Sequence, residues 1–158
     1  MNVEIERKYL VHDTSYRSMA SSSVHIAQGY ISQDPERTVR VRIKDEKGYI
    51  TIKGLPNELG WSRYEFEKKI SIDEAKELLK LCIPPIIDKV RYNIPYKGIL
   101  VEVDEFAGEN TGLVVAEIEL ESENQTFEKP DFIAQEVTGD VRYYNVSLSK
   151  TPYNKWKL

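Results

Sequence analysis

The sequence has little of what disulfide-bonded and zinc-binding proteins depend on. Cys82 is the single cysteine among 158 residues, which excludes an internal disulfide and a cysteine-based zinc cluster. The two histidines, His12 and His25, have no second histidine or cysteine at a ligand spacing. We therefore expect surface or structural roles for both histidines.

Long apolar runs and a surplus of positive charge are also missing. No apolar run approaches the ~18 residues of a membrane-spanning helix, and Met1 leads directly into polar residues rather than into a signal-peptide core. The net charge is −4, from 22 basic and 26 acidic side chains, which gives no bulk electrostatic case for nucleic acid or an anionic membrane as partner. We expect one cytoplasmic, soluble domain over residues 1–158, with neither nucleic acid nor membrane as a partner.

What the sequence does have is period-two alternation of apolar and charged residues. It predicts eight strands joined mainly as hairpins, at 3–10, 24–32, 38–44, 49–54, 61–70, 86–96, 99–106 and 113–121. Helices are predicted over 13–20 and over 141–150. A third is predicted to begin at a Ser71–Glu74 capping box and to be ended by Pro84 and Pro85. We read 122–139 as mostly loop with a short helix, and Gly29, inside a strand, as a bulge or a close backbone approach. The prediction is one β-rich, mainly antiparallel domain.

Each predicted strand places its charged side chains on one face. The basic members are Lys8, Arg40, Arg42, Lys53, Arg63, Lys89 and Arg91, and the acidic members are Glu4, Glu6, Glu65, Glu67, Glu102, Asp104, Glu117 and Glu119. Alternation alone leaves two arrangements open. The charged faces form the outside of a sandwich, or they point into the lumen of a closed sheet whose apolar exterior is covered by helices.

Two details favour the lumen. Whole strands carry one sign, such as Arg40 with Arg42 or Glu117 with Glu119, whereas a merely soluble surface intersperses its signs. The bases are also mostly arginine, whose forked donors suit phosphate. A lumen built this way offers a basic wall to phosphate oxygens and an acidic end to a metal ion.

The first strand alone leaves the same question open, whether its charged face points into a lumen or towards solvent. Glu4 and Glu6 lie about 6 to 7 Å apart on one face with Lys8 one step further, an arrangement that can hold a hard divalent cation beside an anion. The other reading is a half-exposed edge strand whose polar face meets water.

These segments, in this order, resemble one family. EIERK at 4–8 is similar to the ExExK signature of the CYTH domain, within the triphosphate tunnel metalloenzyme superfamily. The segments that continue the resemblance are QGYI at 28–31, RVRI at 40–43, TIKG at 51–54, SRYEFE at 62–67, DKVRY at 88–92, VEVDEFAG at 101–108, VAEIELES at 115–122 and RYYN at 142–145. ExExK alone is a weak pattern, but the ordered set is specific and covers nearly the whole chain. It looks most like the short bacterial inorganic tripolyphosphatases.

The resemblance implies a fold and a site. The fold is a β-rich α+β domain, an eight-stranded antiparallel closed barrel with a charged lumen and with helices packed outside. Lys8, Arg40, Arg42, Lys53, Lys89 and Arg91 are implied to bind phosphate, with Arg63 as a further wall residue. Glu4, Glu6, Glu117 and Glu119, with Asp104 close by, are implied to hold Mg²⁺ or Mn²⁺, two ions in all. Glu65 is a weaker ligand candidate, and Glu67 and Glu102 are read as structural partners of neighbouring bases.

The resemblance also implies chemistry. Tyr30 is similar to the tyrosine that pairs with the ExExK lysine, here Lys8, as a catalytic dyad, and a nearby ammonium would lower its pKa. The expected reaction is metal-dependent hydrolysis of tripolyphosphate to pyrophosphate and phosphate. The alternatives are a class IV adenylyl cyclase, a thiamine or nucleoside triphosphatase, and a polyphosphate-binding module without turnover. The partner is then a small-molecule triphosphate, and homodimers are common in the family.

Overall fold

The fold was examined in a computed structural model, which describes residues 2–58 and 62–156. This part of the chain forms nine strands, three helices and three short 3₁₀ turns. The strands are β1 (Asn2–Val11), β2 (Ser22–Ser32), β3 (Arg37–Lys44), β4 (Lys47–Gly54), β5 (Ser62–Ile70), β6 (Ile83–Tyr96), β7 (Ile99–Phe106), β8 (Val114–Glu119) and β9 (Ile133–Glu136). The helices are α1 (Tyr16–Met19), α2 (Ile72–Leu79) and α3 (Asn145–Lys150). None of the helices in these residues is long and apolar enough to cross a membrane.

Eight of the nine strands close into a barrel. Their hydrogen-bonded order is β5-β4-β3-β2-β6-β7-β8-β1, and β1 also pairs with β5, which joins the two ends of the sheet. Every pairing is antiparallel, and the closing contact places Val3 opposite Tyr64 and Glu4 opposite Arg63. Closure removes the sheet edges that an open sandwich would leave. The predicted eight-stranded antiparallel barrel is confirmed.

Alternation along the strands sorts side chains between the lumen and the outside. Lys89 and Arg91 of β6 line the lumen. Ile94 lies three residues after Arg91, so its side chain points to the opposite face, where it belongs to an apolar cluster on the outside. That cluster joins Tyr9 of β1 and Ile118 of β8 to Tyr16 of α1. This part of the core therefore lies outside the barrel wall, between the strands and the segments packed on them.

Helix α2 covers another part of the exterior. Ser71 and Glu74 form the predicted capping box, each side chain accepting a hydrogen bond from the other's backbone nitrogen at 3.0 Å. Such a box satisfies donors that the first helical turn leaves without partners. Ala75 of the helix packs against Val41 of β3, with Ile70 partly buried beside them.

Gly29 lies where β2 passes beneath the segment that follows α2. The register of β2 against β6 shifts between Gln28 and Tyr30, which is the bulge expected from the sequence. A Cβ on Gly29 would lie 2.7 Å from Cys82 Cβ and 2.7 Å from Ile86 Cδ1. Both sequence-based readings of this glycine, bulge and close approach, are confirmed.

One end of the barrel is closed by apolar packing. Ile87, Phe106 and Val115 lie two residues beyond the charged lumen positions of their strands, so they face inward. They form one buried cluster with Val146 and Leu148 of α3. The lumen is therefore blind at the end that α3 covers.

Part of the exterior stays uncovered. Tyr64 and Phe66 of β5 are each about half-exposed, and so is Val3 of β1, which is paired with Tyr64. Ile52 of β4, opposite Phe66, is 40% exposed. The expectation that helices cover the apolar outer faces therefore holds for β3 and for the Tyr9–Ile118 side of the barrel, but not for this sector.

Four local predictions differ from the structure: two were wrong, and two helices are present but shorter than predicted. Residues 122–139 contain β9 rather than a short helix, and α1 is only four residues long. Pro84 and Pro85, expected to end α2, lie instead at the start of β6, joined by a cis peptide bond. The last helix begins at Asn145, after a 3₁₀ turn over Val141–Tyr143. Trp61, predicted to begin the fifth strand, lies outside the described residues.

Candidate active site

Eight strands line one cavity inside the barrel, seven of them with charged side chains and β2 with Tyr30. Its charged lining comprises Glu4, Glu6, Lys8, Arg40, Arg42, Lys53, Arg63, Glu65, Glu67, Lys89, Arg91, Glu102, Glu117 and Glu119, and Tyr30, Thr38, Tyr144, Asn145 and Val146 complete it. In residues 2–58 and 62–156 these are seven basic and seven acidic side chains. Every side chain that the sequence analysis assigned to the site lines this cavity, apart from Asp104. The lumen arrangement is therefore the one the protein adopts.

The two signs separate by depth. The side chains of Lys8, Arg91 and Lys89 are 6%, 7% and 0% exposed. Some carboxylates reach further towards solvent, with Glu102 at 20% and Glu67 at 42%, whereas Glu117 at 12% is buried about as deeply as the bases. The result is a basic floor beneath a more acidic mouth, which suits an anion that enters with cations.

Asp104 lies behind the basic wall rather than in the cavity. Its Oδ2 accepts hydrogen bonds from Lys89 Nζ at 2.7 Å and Arg91 Nη2 at 2.9 Å, and its Oδ1 accepts from Arg91 Nε at 2.7 Å. Burial raises the pKa of Asp104, but Arg91 and Lys89 outweigh it and lower that pKa to about 2. Both carboxylate oxygens are thus occupied by the two bases, an arrangement that fixes where those bases point.

Lys89 and Arg42 are buried cations with incomplete compensation. Burial lowers the pKa of Lys89 to about 7, against the attraction of Asp104 and with the repulsion of Arg91 and Arg42. Burial, followed by the charges of Arg40 and Arg91, lowers the pKa of Arg42 to about 9. Arg42 forms no salt bridge with any carboxylate in the described part of the chain. A buried guanidinium without a counter-ion is a strong attractor for an anion.

Arg40 has a similar deficit. One terminal nitrogen donates to Thr51 Oγ1 at 3.1 Å, and Thr51 in turn donates to Glu67 Oε1 at 2.9 Å. The Nε of Arg40 is the one buried side-chain nitrogen or oxygen, among the described residues, that has no hydrogen-bond partner. Such groups are rare in folded proteins because their desolvation is uncompensated, and they often face a ligand.

The Glu4 side of the mouth holds a coupled pair of carboxylates. Lys53 Nζ donates to both oxygens of Glu4, at 2.8 and 3.0 Å, and Arg63 Nε lies 3.8 Å from Glu4 Oε1. Burial raises the pKa of Glu4, but Lys53 outweighs it, and a hydrogen bond from Glu65 adds to the lowering, to about 2. Burial and that same hydrogen bond raise the pKa of Glu65 to about 7. The pair therefore shares one proton, held by Glu65.

Lys8 joins the other carboxylates of this region. Its Nζ lies 3.1 Å from Glu6 Oε1 and 3.0 Å from Glu117 Oε1. Burial, then the negative charges of Glu117 and Glu4, raise the pKa of Glu6. Burial and the negative charges of Glu4 and Glu102 likewise raise the pKa of Glu119. The four glutamates predicted as metal ligands thus repel one another across one space, which is the electrostatic setting in which a divalent cation binds.

No group of three or more metal-ligating side chains is already gathered for coordination in the described ranges. Glu4, Glu6 and Glu117 are instead turned towards lysines. The donor set is nevertheless all carboxylate oxygen, which Mg²⁺ and Mn²⁺ prefer. These glutamates therefore fit a hard divalent cation chemically. In this structure Lys8 and Lys53 neutralise the negative charges of three of them.

Two tyrosines line the lumen, and one of them was not singled out by the sequence analysis. Tyr30 is buried, and burial raises its pKa against the opposing charges of Arg40, Arg42, Arg63 and Lys8. Lys8 does act to lower this pKa, as expected, but desolvation outweighs Lys8 and the three arginines, so the net shift is upward. Its hydroxyl keeps its proton at neutral pH and acts as a donor.

Tyr144 is the second lumen tyrosine. Its ring centroid lies 5.6 Å from Arg63 Cζ and 6.0 Å from Lys8 Nζ, distances of cation–π contact. Its place in the RYYN segment was a signal, but nothing in the spacing of that segment predicts which tyrosine enters the barrel.

Trp61, Tyr153 and Trp156 are aromatic side chains of the kind that can stack on a nucleotide base. Trp156 packs edge-on against Tyr143 and Tyr153, with ring centroids 5.1 and 5.0 Å apart, and neither Trp156 nor Tyr153 lines the lumen. Trp61 is not among the described residues. Neither Trp156 nor Tyr153 therefore offers a base-binding surface at the mouth.

Comparison with known sequences agrees with this geometry. Residues 2–153 match the model of the CYTH domain. The chain is 49% identical over 158 residues to a curated inorganic triphosphatase of Acetivibrio thermocellus, covering 99% of each chain. It is 33% identical to a second inorganic triphosphatase, from Nitrosomonas europaea, over 92% of this chain and 96% of the relative.

Solved structures show the same barrel. A crystal structure of an inorganic triphosphatase superposes with a TM-score of 0.64 at 31% identity, covering 92% of this chain and 97% of the other. A protein from Hippeastrum, described as an adenylyl cyclase with a dominant triphosphatase activity, shares the fold alone, at 15% identity and a TM-score of 0.62 over 75% of this chain and 80% of the other. From the match over nearly its whole length and from these relatives, the chain belongs to the CYTH domain family.

Proposed function

We propose that this protein hydrolyses a triphosphate inside its barrel, inorganic tripolyphosphate to pyrophosphate and phosphate, with the help of divalent metal ions. The observation that carries the proposal is the basic floor, where Arg42 lacks a carboxylate partner and Arg40 holds a buried nitrogen without a hydrogen bond. Phosphate oxygens supply what both guanidinium groups lack. Relatives at 49% and 33% identity that are named inorganic triphosphatases support the choice of substrate.

The charge balance of the lumen supports a metal requirement. Its bases and acids are equal in number among the described residues, so the lumen carries little net charge of its own. A triphosphate brings about four to five negative charges, which such a lumen cannot offset unaided. Two divalent cations restore the balance, and Glu4, Glu6, Glu117 and Glu119 are the residues that would hold them. Bound there, metal ions would polarise phosphate oxygens and activate water.

Asp104 is left out of this proposed ligand set. Its oxygens are engaged by Lys89 and Arg91, and it does not line the cavity. We assign it to the wall, as the counter-ion that aims both bases at the substrate.

The chain's own residues then position the substrate. Lys8, Arg40, Arg42 and Arg91 bind phosphate oxygens and stabilise the charge that spreads over them as the terminal P–O bond breaks. Water oxygen attaches to the terminal phosphorus and pyrophosphate leaves. Tyr30, protonated and buried, donates a hydrogen bond to a phosphate oxygen, a role that differs from that of a general base.

The test is to measure Mg²⁺-dependent phosphate release from tripolyphosphate and from ATP under matched conditions. We expect release from tripolyphosphate to exceed release from ATP, because neither Trp156 nor Tyr153 lines the lumen and both curated relatives are named inorganic triphosphatases. Cyclic nucleotide and pyrophosphate from ATP would instead indicate a cyclase. Tight tripolyphosphate binding with no release from either compound would leave a binding module.

A further inference from the structure

Two side-chain amides lie at the deep end of the lumen, the buried Gln28 and the partly buried Asn145, which lines the cavity. Gln28 of β2 is fully buried, and its Nε2 donates a hydrogen bond to Oδ1 of Asn145 at 2.9 Å. Asn145 is the first residue of α3, 117 positions further along the chain. We call this pair the amide bridge.

Each end of the amide bridge accepts a hydrogen bond from a lumen cation. Arg42 Nε donates to Gln28 Oε1 at 2.8 Å, and Lys89 Nζ donates to Asn145 Oδ1 at 2.9 Å. Arginine has no acceptor, so the oxygen of Gln28 must face Arg42, and its nitrogen must then face Asn145. The orientation of both amides is thus fixed by the network itself and not only by the placement of atoms.

The amide bridge leaves the remaining donors of the two cations for the lumen. With Nε bound to Gln28, the two terminal nitrogens of Arg42 have no hydrogen-bond partner in residues 2–58 and 62–156. Lys89 uses one N–H for Asp104 and one for Asn145, which leaves the third. Both side chains line the cavity, and that of Lys89 is fully buried at its deep end.

We propose that Gln28 and Asn145 are positioning residues, which hold Arg42 and Lys89 in the orientation that binds the innermost phosphate of the substrate. The proposal rests on the proposed function for the identity of the anion. Attachment of α3 does not by itself need the bridge, since Val146 and Leu148 already bury α3 against Ile87 and Phe106. What apolar packing cannot do is orient a guanidinium and an ammonium, and that is what the two amide oxygens supply.

The test compares Gln28→Met with a matched control, Gln33→Met. Gln33 also donates a 2.9 Å hydrogen bond to α3, to Ser149 Oγ, but it touches no lumen cation. Both variants lose one amide-to-α3 hydrogen bond and keep a side chain of similar length. Calorimetric titration of tripolyphosphate in EDTA, where turnover is absent, gives Kd for each variant, and urea unfolding gives its stability.

We expect Gln28→Met to raise the Kd for tripolyphosphate about tenfold or more, because a misoriented cation loses a charge-assisted hydrogen bond. Gln33→Met should leave Kd within about twofold of the wild type. In turnover with Mg²⁺, KM should rise for Gln28→Met with kcat changed much less. Asn145→Leu should raise Kd similarly, and the Gln28→Met/Asn145→Leu double variant should add little to either single change, since both break one bridge.

A second readout does not depend on the substrate. The Arg42 Nε–H resonance should be protected from solvent exchange in the wild type and in Gln33→Met, and exposed in Gln28→Met. Unchanged protection in Gln28→Met, or an equal rise in Kd for both variants, would overturn the amide bridge as a positioning device. If the wild type neither binds nor hydrolyses tripolyphosphate, the proposed function fails, while the Arg42 resonance still reports whether the bridge orients the cation.

Discussion

Individual lumen residues differ in how fully their charge is compensated within the barrel. Arg91 has a carboxylate at two of its nitrogens from Asp104 alone, whereas Arg42 has only the amide oxygen of Gln28. A cation already paired contributes mainly shape to an anion site, and an unpaired one contributes attraction. We therefore regard Arg42, which has no carboxylate partner among the described residues, as the residue that most attracts the substrate, and Arg91 as one that shapes its site. Arg40 lies between these cases, because its Nη2 is 3.6 Å from Glu67 Oε1 while its Nε has no hydrogen-bond partner.

Lys8 and Glu6 provide the sharpest single-residue prediction. Lys8→Ala removes a phosphate contact and leaves Glu6 and Glu117 without their shared ammonium, and Glu6→Ala removes a proposed metal ligand. We expect each change to abolish phosphate release from tripolyphosphate while circular dichroism and cooperative unfolding show an intact barrel. Near-normal rates in both variants would contradict the proposed active site.

Glu65 predicts a pH dependence of stability. Its pKa is about 7 in the folded protein and near 4.5 when unfolded, so between pH 4.5 and 7 the folded state holds a proton that the unfolded state has lost. The contribution of Glu65 to stability therefore falls as pH rises through that window and changes no further above it. Allowing for solvent screening of this partly exposed group, the loss is on the order of 1 kcal/mol.

The measurement is the free energy of unfolding in urea at pH 5 and pH 7.5, in EDTA, for the wild type and for Glu65→Gln. We expect the decline between the two pH values to be smaller in Glu65→Gln, because glutamine does not titrate. An equal decline in both proteins would show that Glu65 does not hold the shared proton.

The sequence predicted which residues enter the lumen better than it predicted their partners. Period-two alternation is a local property, and it placed Arg40, Arg42, Lys89 and Arg91 on one face. Which acid meets which base depends on register across the barrel, which alternation does not encode. Asp104 shares the parity of a lumen residue yet lies behind the wall.

Gln28 and Asn145 were missed for a related reason. A neutral amide inside a strand or before a helix carries no pattern that separates a surface position from a buried one. Their importance depends on a contact between positions 117 residues apart, which only the closed barrel creates. Tyr30 was placed correctly, but its raised pKa comes from burial that the sequence could not measure.

At the level of elements, hairpins were predicted well and unusual segments were not. Strands β7 and β3 appear within one residue of the predicted ranges because hairpin turns punctuate them. The four-residue β9 escaped prediction because it is held by pairing with β1 rather than by its own alternation. Its counterpart in β1 lies more than 120 positions earlier, so the signal is wholly non-local.

The close contact at Gly29 between β2 and the segment after α2 can be tested by adding a side chain there. Gly29→Ala places a Cβ 2.7 Å from both Cys82 Cβ and Ile86 Cδ1, so the neighbouring backbone must shift. We expect a loss of about 1–3 kcal/mol in the free energy of unfolding, as for other overpacked sites. Urea unfolding measures it.

Gly54→Ala is the matched control for that change. A Cβ on Gly54 would meet Tyr64 Cβ at 3.6 Å, an ordinary contact. We expect Gly54→Ala to leave stability unchanged or to raise it by about 0.4–1 kcal/mol through the unfolded state. If both variants lose stability equally, the cost reflects loss of glycine in a strand rather than the close approach at Gly29.

For the whole molecule, charge balance in the lumen predicts that substrate and metal stabilise the fold together. A non-hydrolysable imido analogue of tripolyphosphate with Mg²⁺, at about 100 times its Kd, should raise Tm by roughly 5 to 10 °C. The analogue in EDTA should raise it less, because the anion then lacks counter-ions. Equal shifts with and without Mg²⁺, measured by scanning calorimetry, would contradict the proposed metal requirement.

Because α3 closes one end of the barrel, substrate and product must enter and leave the lumen at the other end. The lumen is closed at this end by the packing of Ile87, Phe106 and Val115 against α3, so it is a pocket and not a through-channel. Spent pyrophosphate must retreat along the route by which the next tripolyphosphate arrives, and the two cannot pass each other between walls lined with arginine. The rate of turnover is then limited by release of pyrophosphate through the one open end of the lumen. Only the terminal phosphates of a long polyphosphate could reach the basic floor.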